Sequence, residues 1–251
     1  MRSCLAVLLV LAAAVPATAQ APVPFERPAP DFLFSKPRGS VTVRATRLFA
    51  RGRSDWYDFV TDHLTLESGD FNAPGFGFDA GRAVTPRMEV QFSFDFNRAR
   101  TASEYRDFVD NNRLPIEQVT TLRQMNFSGN IKFALTDRGR DISRFAFVPR
   151  RVVPYVGGGA GVAHYKLEQV GDFIDAGDPN LPVFTDVFFA QAWTPSAQLF
   201  GGADVRVLKR LYVTIDGRYL WAAADLGRDW IDFDPIDLAG FRLSGGVNVI
   251  F

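Results

Sequence analysis

Between Met88 and Asn97 the chain alternates without a break. Val90, Phe92, Phe94 and Phe96 fall on one face, while Glu89, Gln91, Ser93, Asp95 and Asn97 fall on the other. A period of two belongs to a strand with two chemically different faces and does not fit the 3.6-residue repeat of a helix. The dyad recurs in seven further stretches, which predicts eight strands. These run near Ser40 to Phe49, Gly75 to Val84, Thr120 to Leu135, Pro154 to Lys166, Ser196 to Val207, Leu211 to Ala223 and Phe241 to Phe251. Strands of about ten residues, tilted, are long enough to cross the hydrocarbon layer of an outer membrane. A soluble sandwich with one buried face shows the same alternation, so periodicity alone does not choose between the two.

The first residues bear on that choice. Arg2 supplies a positive start, Leu5 to Val15 an apolar stretch, and Ala17-Thr18-Ala19 a small-residue cleavage pattern, together the layout of an export signal over residues 1–19. The apolar run is too short for a spanning helix, which needs roughly 20 residues. The only cysteine, Cys4, lies inside this signal. The processed chain is therefore expected to have no disulfide, thiol nucleophile or cysteine-bound metal. Residues 20–39 are proline-rich, which disfavours helix and central strand, and read as a periplasmic segment before a single barrel domain at 40–251. Lysine plus arginine equals aspartate plus glutamate, 28 against 28, so no basic field draws in nucleic acid. The 24 phenylalanines need an apolar surrounding, either a sandwich core or lipid.

Connection lengths favour lipid, because transmembrane barrels alternate short periplasmic turns with long outer loops. Thr85-Pro86-Arg87 and Leu208-Lys209-Arg210 are short, whereas segments 50–74, 98–119, 167–195 and 224–240 are long. The connection Thr136 to Val153 breaks the pattern. The polar sides of the strands collect Arg44, Asp79, Glu89, Asp95, Lys132, His164, Lys166, Asp204, Arg206, Asp216, Arg218 and Arg242. Inside a small barrel, filled by side chains, such charges must be paired, and the two signs nearly balance. Gly157, Gly158, Gly159 and Gly161 imply tight curvature or close packing against a large side chain. Trp56, Trp193, Trp221 and Trp230 are expected near the outer interface, with Tyr155, Tyr212 and Phe251 at the periplasmic one.

The terminal strand GGVNVIF, ending on Phe251, together with PYVGGGAGVAHY in the fifth strand, resembles the OmpA-like family of eight-stranded outer-membrane β-barrels. The resemblance spans nearly all of the processed chain. It implies an all-β, antiparallel up-and-down transmembrane barrel with loops outside and both termini in the periplasm. It also implies Phe251 as the signal read by the barrel assembly machinery. The chain is further expected to be a monomer among outer-membrane lipid and lipopolysaccharide, with no cofactor. No peptidoglycan-binding domain is expected after the barrel, so cell-wall tethering is not implied.

Fold alone does not supply an activity, and no catalytic motif is found. His164 lacks the His-x-Ser arrangement of barrel deacylases. Asp62-His63 in the first long loop suggests an acid and base pair, although adjacent solvated residues arise readily by chance. Asp232, Asp234 and Asp237 carry oxygen ligands but lack the glycine and distal glutamate of a calcium loop, and a solvated acidic loop is the simpler reading. The expectation is a structural or surface-interaction protein whose loops meet lipopolysaccharide or a partner, with divalent cations bridging. The alternatives are a small-lipophile transporter, a lipid-modifying enzyme, and a soluble secreted ligand-binding barrel.

Overall fold

A computed structural model of the chain describes residues 32–110, 112–175 and 177–251. The export signal and most of the proline-rich segment lie outside the described residues. Twelve strands are present: β1 Gly39–Ala50, β2 Ala73–Ala83, β3 Met88–Val109, β4 Pro115–Ala134, β5 Gly139–Ser143, β6 Ala146–Pro149, β7 Val152–Ile174, β8 Val183–Arg206, β9 Leu211–Trp221, β10 Ala223–Ala224, β11 Ile236–Asp237 and β12 Gly240–Ile250. Eight of them close into one barrel in the order β1-β12-β9-β8-β7-β4-β3-β2, with every neighbouring pair antiparallel. Closure leaves no free sheet edge around the ring, the condition for backbone to stand in lipid.

The alternation seen in the sequence becomes an inside and an outside. Glu89, Gln91, Ser93, Asp95 and Asn97 of β3 are buried, whereas Val90 and Phe92 are half exposed on the outer wall. Around the barrel, Val43, Phe76, Ile131, Leu199, Ile215, Leu243 and Val247 continue this exposed apolar belt. A soluble protein hides such side chains. An apolar exterior around a polar interior is the arrangement of a membrane barrel, and it overturns the soluble alternative.

Strand lengths depart from the roughly ten- to sixteen-residue stretches expected. β3, β4, β7 and β8 are 20 to 24 residues long, twice the length of β1, β2, β9 and β12. Much of the segments read as loops at 98–119 and 167–195 is therefore sheet, a four-stranded wall rising beyond the belt. Its upper residues are polar or mixed on both faces, which masked the dyad. The 136–153 connection folds as a periplasmic hairpin, β5 with β6. Phe147 of that hairpin is buried and bridges Leu33 through two backbone hydrogen bonds.

Two placements need correction. His164 and Lys166 are not on the lumen side: Ala163, Tyr165 and Leu167 are the buried alternates, so His164 and Lys166 point outward. Of the four tryptophans, Trp193 and Trp221 face outward near the upper interface. Trp56 and Trp230 are buried in the loops, and Tyr155 and Tyr212 point inward. Gly157 is explained by crowding, since a Cβ there would lie 2.4 Å from the Phe200 ring.

Because Phe94 faces lipid and its neighbour Ser93 the lumen, Phe94→Arg is expected to cost about 2–4 kcal/mol. Phe94→Leu should cost far less. Urea unfolding titrations of the barrel in bilayers compare the two.

Candidate functional site

The interior is built in two storeys of opposite chemistry. The lower one is ionic. Asp79 accepts two hydrogen bonds from Arg44, at 2.9 and 3.0 Å, two from Arg218, at 3.0 and 3.3 Å, and one from Ser93. Arg44 also reaches Asp95 at 3.1 Å, and Arg218 reaches Asp216 through two of its nitrogens. Ser244 and Tyr155 donate to Asp216 as well. Arg242 lies in the same layer, fully buried, and donates to Asn97 at 2.9 Å. Gly77 makes room for this cluster, since a Cβ there would lie 2.8 Å from the Arg44 guanidinium.

Toward the periplasm, Lys132 donates to Asp204 at 2.7 Å and sits 3.8 Å over the Tyr155 ring. Glu89 is held by Ser40, by Gln91 and by Arg138, which reaches in from the periplasmic connection at 2.7 Å. Arg206 lies at the foot of β8, opposite Tyr212. Polar side chains packed this closely occupy the lower bore. Each charge has an opposite charge in its own layer, as burial demands.

The upper storey is apolar and is built by the loops. Helix α1, Asp55–His63, follows Ser54 in extended conformation and carries Asp55 and Asp58 in its first turn, where they favour the helix dipole. It turns Trp56, Tyr57 and Val60 inward. They meet Leu226, Trp230, Ile236 and Leu238 of the last loop and Leu122, Tyr165 and Leu167 from the inner face of the raised wall, forming one core. Asp55 ties the two loops by accepting from Asp234 N at 2.9 Å. Burial pushes the Tyr57 phenol above its ordinary range, and its hydroxyl has no partner.

The acidic loop is not simply solvated. Asp237 is buried and accepts from Arg51 at 2.7 Å and from the backbone of Arg53 and Ala239. This pairing raises the Arg51 pKa. No cluster of three potential metal ligands exists among the described residues. The His63 ring stacks on Phe59 at 4.5 Å and its Nδ1 lies 3.0 Å from Phe59 O, an ordinary helix-end contact.

Above this core a cleft of ≈ 210 Å³ opens, lined by Phe59, Tyr105, Phe173, Phe188, Trp230 and Phe233, with Gln118 and Gln169 at its base. Its rings touch edge to face: Phe173 to Phe188 at 4.5 Å and Trp230 to Phe233 at 5.9 Å. Gln169 donates to Gln118, leaving Gln118 Nε2 buried without a partner. Sequence reading missed this site. Its residues come from six segments, and the one local signal, aromatics continuing upstream of the sixth predicted strand in VFFAQAW, reads equally as an interface girdle.

Asp79→Ala removes the carboxylate shared by Arg44 and Arg218 and is expected to cost about 3 kcal/mol, visible as a lowered urea midpoint in bilayers. Tyr57→Phe deletes an unpartnered buried hydroxyl and should raise stability by about 1 kcal/mol, read as delayed protease cutting of the outer loops.

No family model and no curated protein matches the chain. Solved structures that resemble it include Ail, the attachment invasion locus protein of Yersinia pestis, with 12% identity, covering 86% of this chain and 100% of that one at a TM-score of 0.43. Neisserial surface protein A has 14% identity, 85% and 97% coverage and a TM-score of 0.43. The N-terminal β-barrel domain of Pseudomonas aeruginosa OprF has 15% identity, 86% and 100% coverage and a TM-score of 0.37. The membrane assignment stands on the molecule itself, through its closed antiparallel ring, apolar outer belt and charge-paired bore. In fold, the chain is a closed membrane β-barrel of eight antiparallel strands.

Proposed function

We propose that the protein is a non-enzymatic, non-conducting surface-interaction barrel whose contact site is the aromatic cleft at the top of the raised wall. The observation that carries this reading is the two-storey interior: ion pairs close the bore, and above them the loops are packed into a core that holds a cleft open. Loops that only connected strands would have no need of so much ordered apolar surface. The cleft is smaller than the roughly 300–1,000 Å³ typical of drug-sized ligands, so it suits a group of one or two rings. The unpartnered Gln118 Nε2 adds a preference for a hydrogen-bond acceptor on that group. Phe251 is exposed at the foot of β12, which suits the assembly-signal role.

The test uses the barrel in lipid nanodiscs with 4-fluoroacetanilide, a soluble ring bearing an amide acceptor. Selective broadening of its fluorine resonance is expected with the wild type and absent with Ile174→Trp, which fills the cleft. Equal broadening with both, or none with either, would overturn the cleft reading. In planar bilayers the protein should give no steady conductance, and a stable open channel would refute the closed bore.

A further inference from the structure

The outer wall carries a row of like charges of which only one, Lys166, has an acidic partner among the described residues. Arg98 of β3 pairs directly with Arg123 of β4, and Arg123 pairs directly with Lys166 of β7. All three point outward, because their sequence neighbours Asn97, Ala99, Leu122, Gln124, Tyr165 and Leu167 are the buried alternates. Directly opposed residues on one face hold their Cβ atoms about 4.5–5.5 Å apart, and like charges there destabilise the sheet. Arg100 adds a fourth charge two residues higher on β3, and Arg47 points outward near the top of β1. Among the described residues, Arg47, Arg98, Arg100 and Arg123 have no ion-pair partner. Lys166 is shared with Glu168 at 3.1 Å and lies 4.8 Å from the Phe189 ring.

The row's height is what gives it meaning. The next outward row toward the membrane is Phe96, Met125, His164 and Trp193, and the one below contains Phe94 and Phe127, whose rings are 4.9 Å apart. The cations therefore stand on the upper rim of the lipid-facing belt, where headgroups begin. Farther out the sign reverses, with Glu104 directly opposite Glu117. Acidic side chains thus border the row on its outer side.

We propose that Arg98, Arg123 and Lys166, flanked by Arg100, form a binding row for the phosphate groups of a glycolipid in the outer leaflet. The lipid's acyl chains lie on the Phe94, Phe96 and Phe127 surface while its phosphates accept from the guanidinium groups, the geometry arginine favours. The bound phosphates convert a repulsive row into an attractive one, which accounts for a like-charged array on a folded sheet.

The experiment is native mass spectrometry of the full chain released from nanodiscs containing bisphosphorylated lipid A. The triple variant Arg98→Gln/Arg123→Gln/Lys166→Gln is expected to retain the lipid about tenfold less than wild type, from three exposed charge contacts of roughly equal strength. A variant with the same charge change at the periplasmic end, Arg150→Gln/Arg151→Gln/Lys209→Gln, should retain it fully. With the dephosphorylated lipid, wild type and triple variant should be alike. Arg123→Gln alone, the centre of the row, should give an intermediate loss and serves if the triple variant does not fold. Equal retention by wild type and the row variants would overturn the proposal. Equal loss in the periplasmic control would reduce it to bulk charge. Displacement of the lipid by millimolar inorganic phosphate would show a free-anion site instead.

Discussion

A closed sheet of eight strands leaves a bore too narrow for bulk water and too polar-walled to stay empty, so its side chains must satisfy one another. Asp79 is where this demand is met most densely. Two guanidinium groups, one from the adjacent β1 and one from β9 three strands round the ring, and one hydroxyl converge on a single carboxylate. Arg44 comes from β1, Arg218 from β9 and Asp79 from β2, so the contact braces three of the shorter strands of the ring through the interior. The glycine at position 77 and the outward turn of every apolar neighbour follow from the space this cluster takes. In lipid, where the outer face gains little from packing, such internal pairing bears much of the burden of specifying one arrangement.

The upper storey obeys a different rule. Beyond the headgroups water returns, and the raised strands again have an apolar inner face to hide. Helix α1 and the last loop supply the cover, with Trp56, Tyr57 and Trp230 filling the space between β4, β7 and β8. The protein therefore holds two folding problems in one chain, polar inside apolar at membrane level and apolar inside polar above it, joined by strands long enough to pass through both.

What could be read from the sequence divides along the same boundary. At membrane level each strand has one apolar and one polar face, so Val90 to Phe96 and Leu211 to Trp221 announce themselves, and the bore residues follow by parity. Above it, the outer face of β3 reads Arg98, Arg100, Ala102 and Glu104 while the inner face reads Asn97, Ala99, Thr101 and Ser103, and no contrast remains to mark a strand. Parity places His164 and Lys166 inside because they are polar, but in β7 these polar residues take the outer face at the rim of the belt, where lipid headgroups rather than acyl chains lie outside. The cleft was illegible because Phe59, Gln118, Phe188 and Trp230 are far apart in the chain and only closure of the ring brings them together.

The unequal strand lengths have a consequence in the plane of the membrane. β1, β2, β9 and β12 end near the lipid surface, while β3, β4, β7 and β8 continue well above it. The protein thus presents a low sector and a high sector to its neighbours. Lipids and other membrane proteins approaching from the low side can slide over its rim, while those from the high side meet a parapet. A single barrel built this way acts as a compass in a crowded leaflet, giving each molecule a front and a back and making lateral encounters depend on bearing as well as distance.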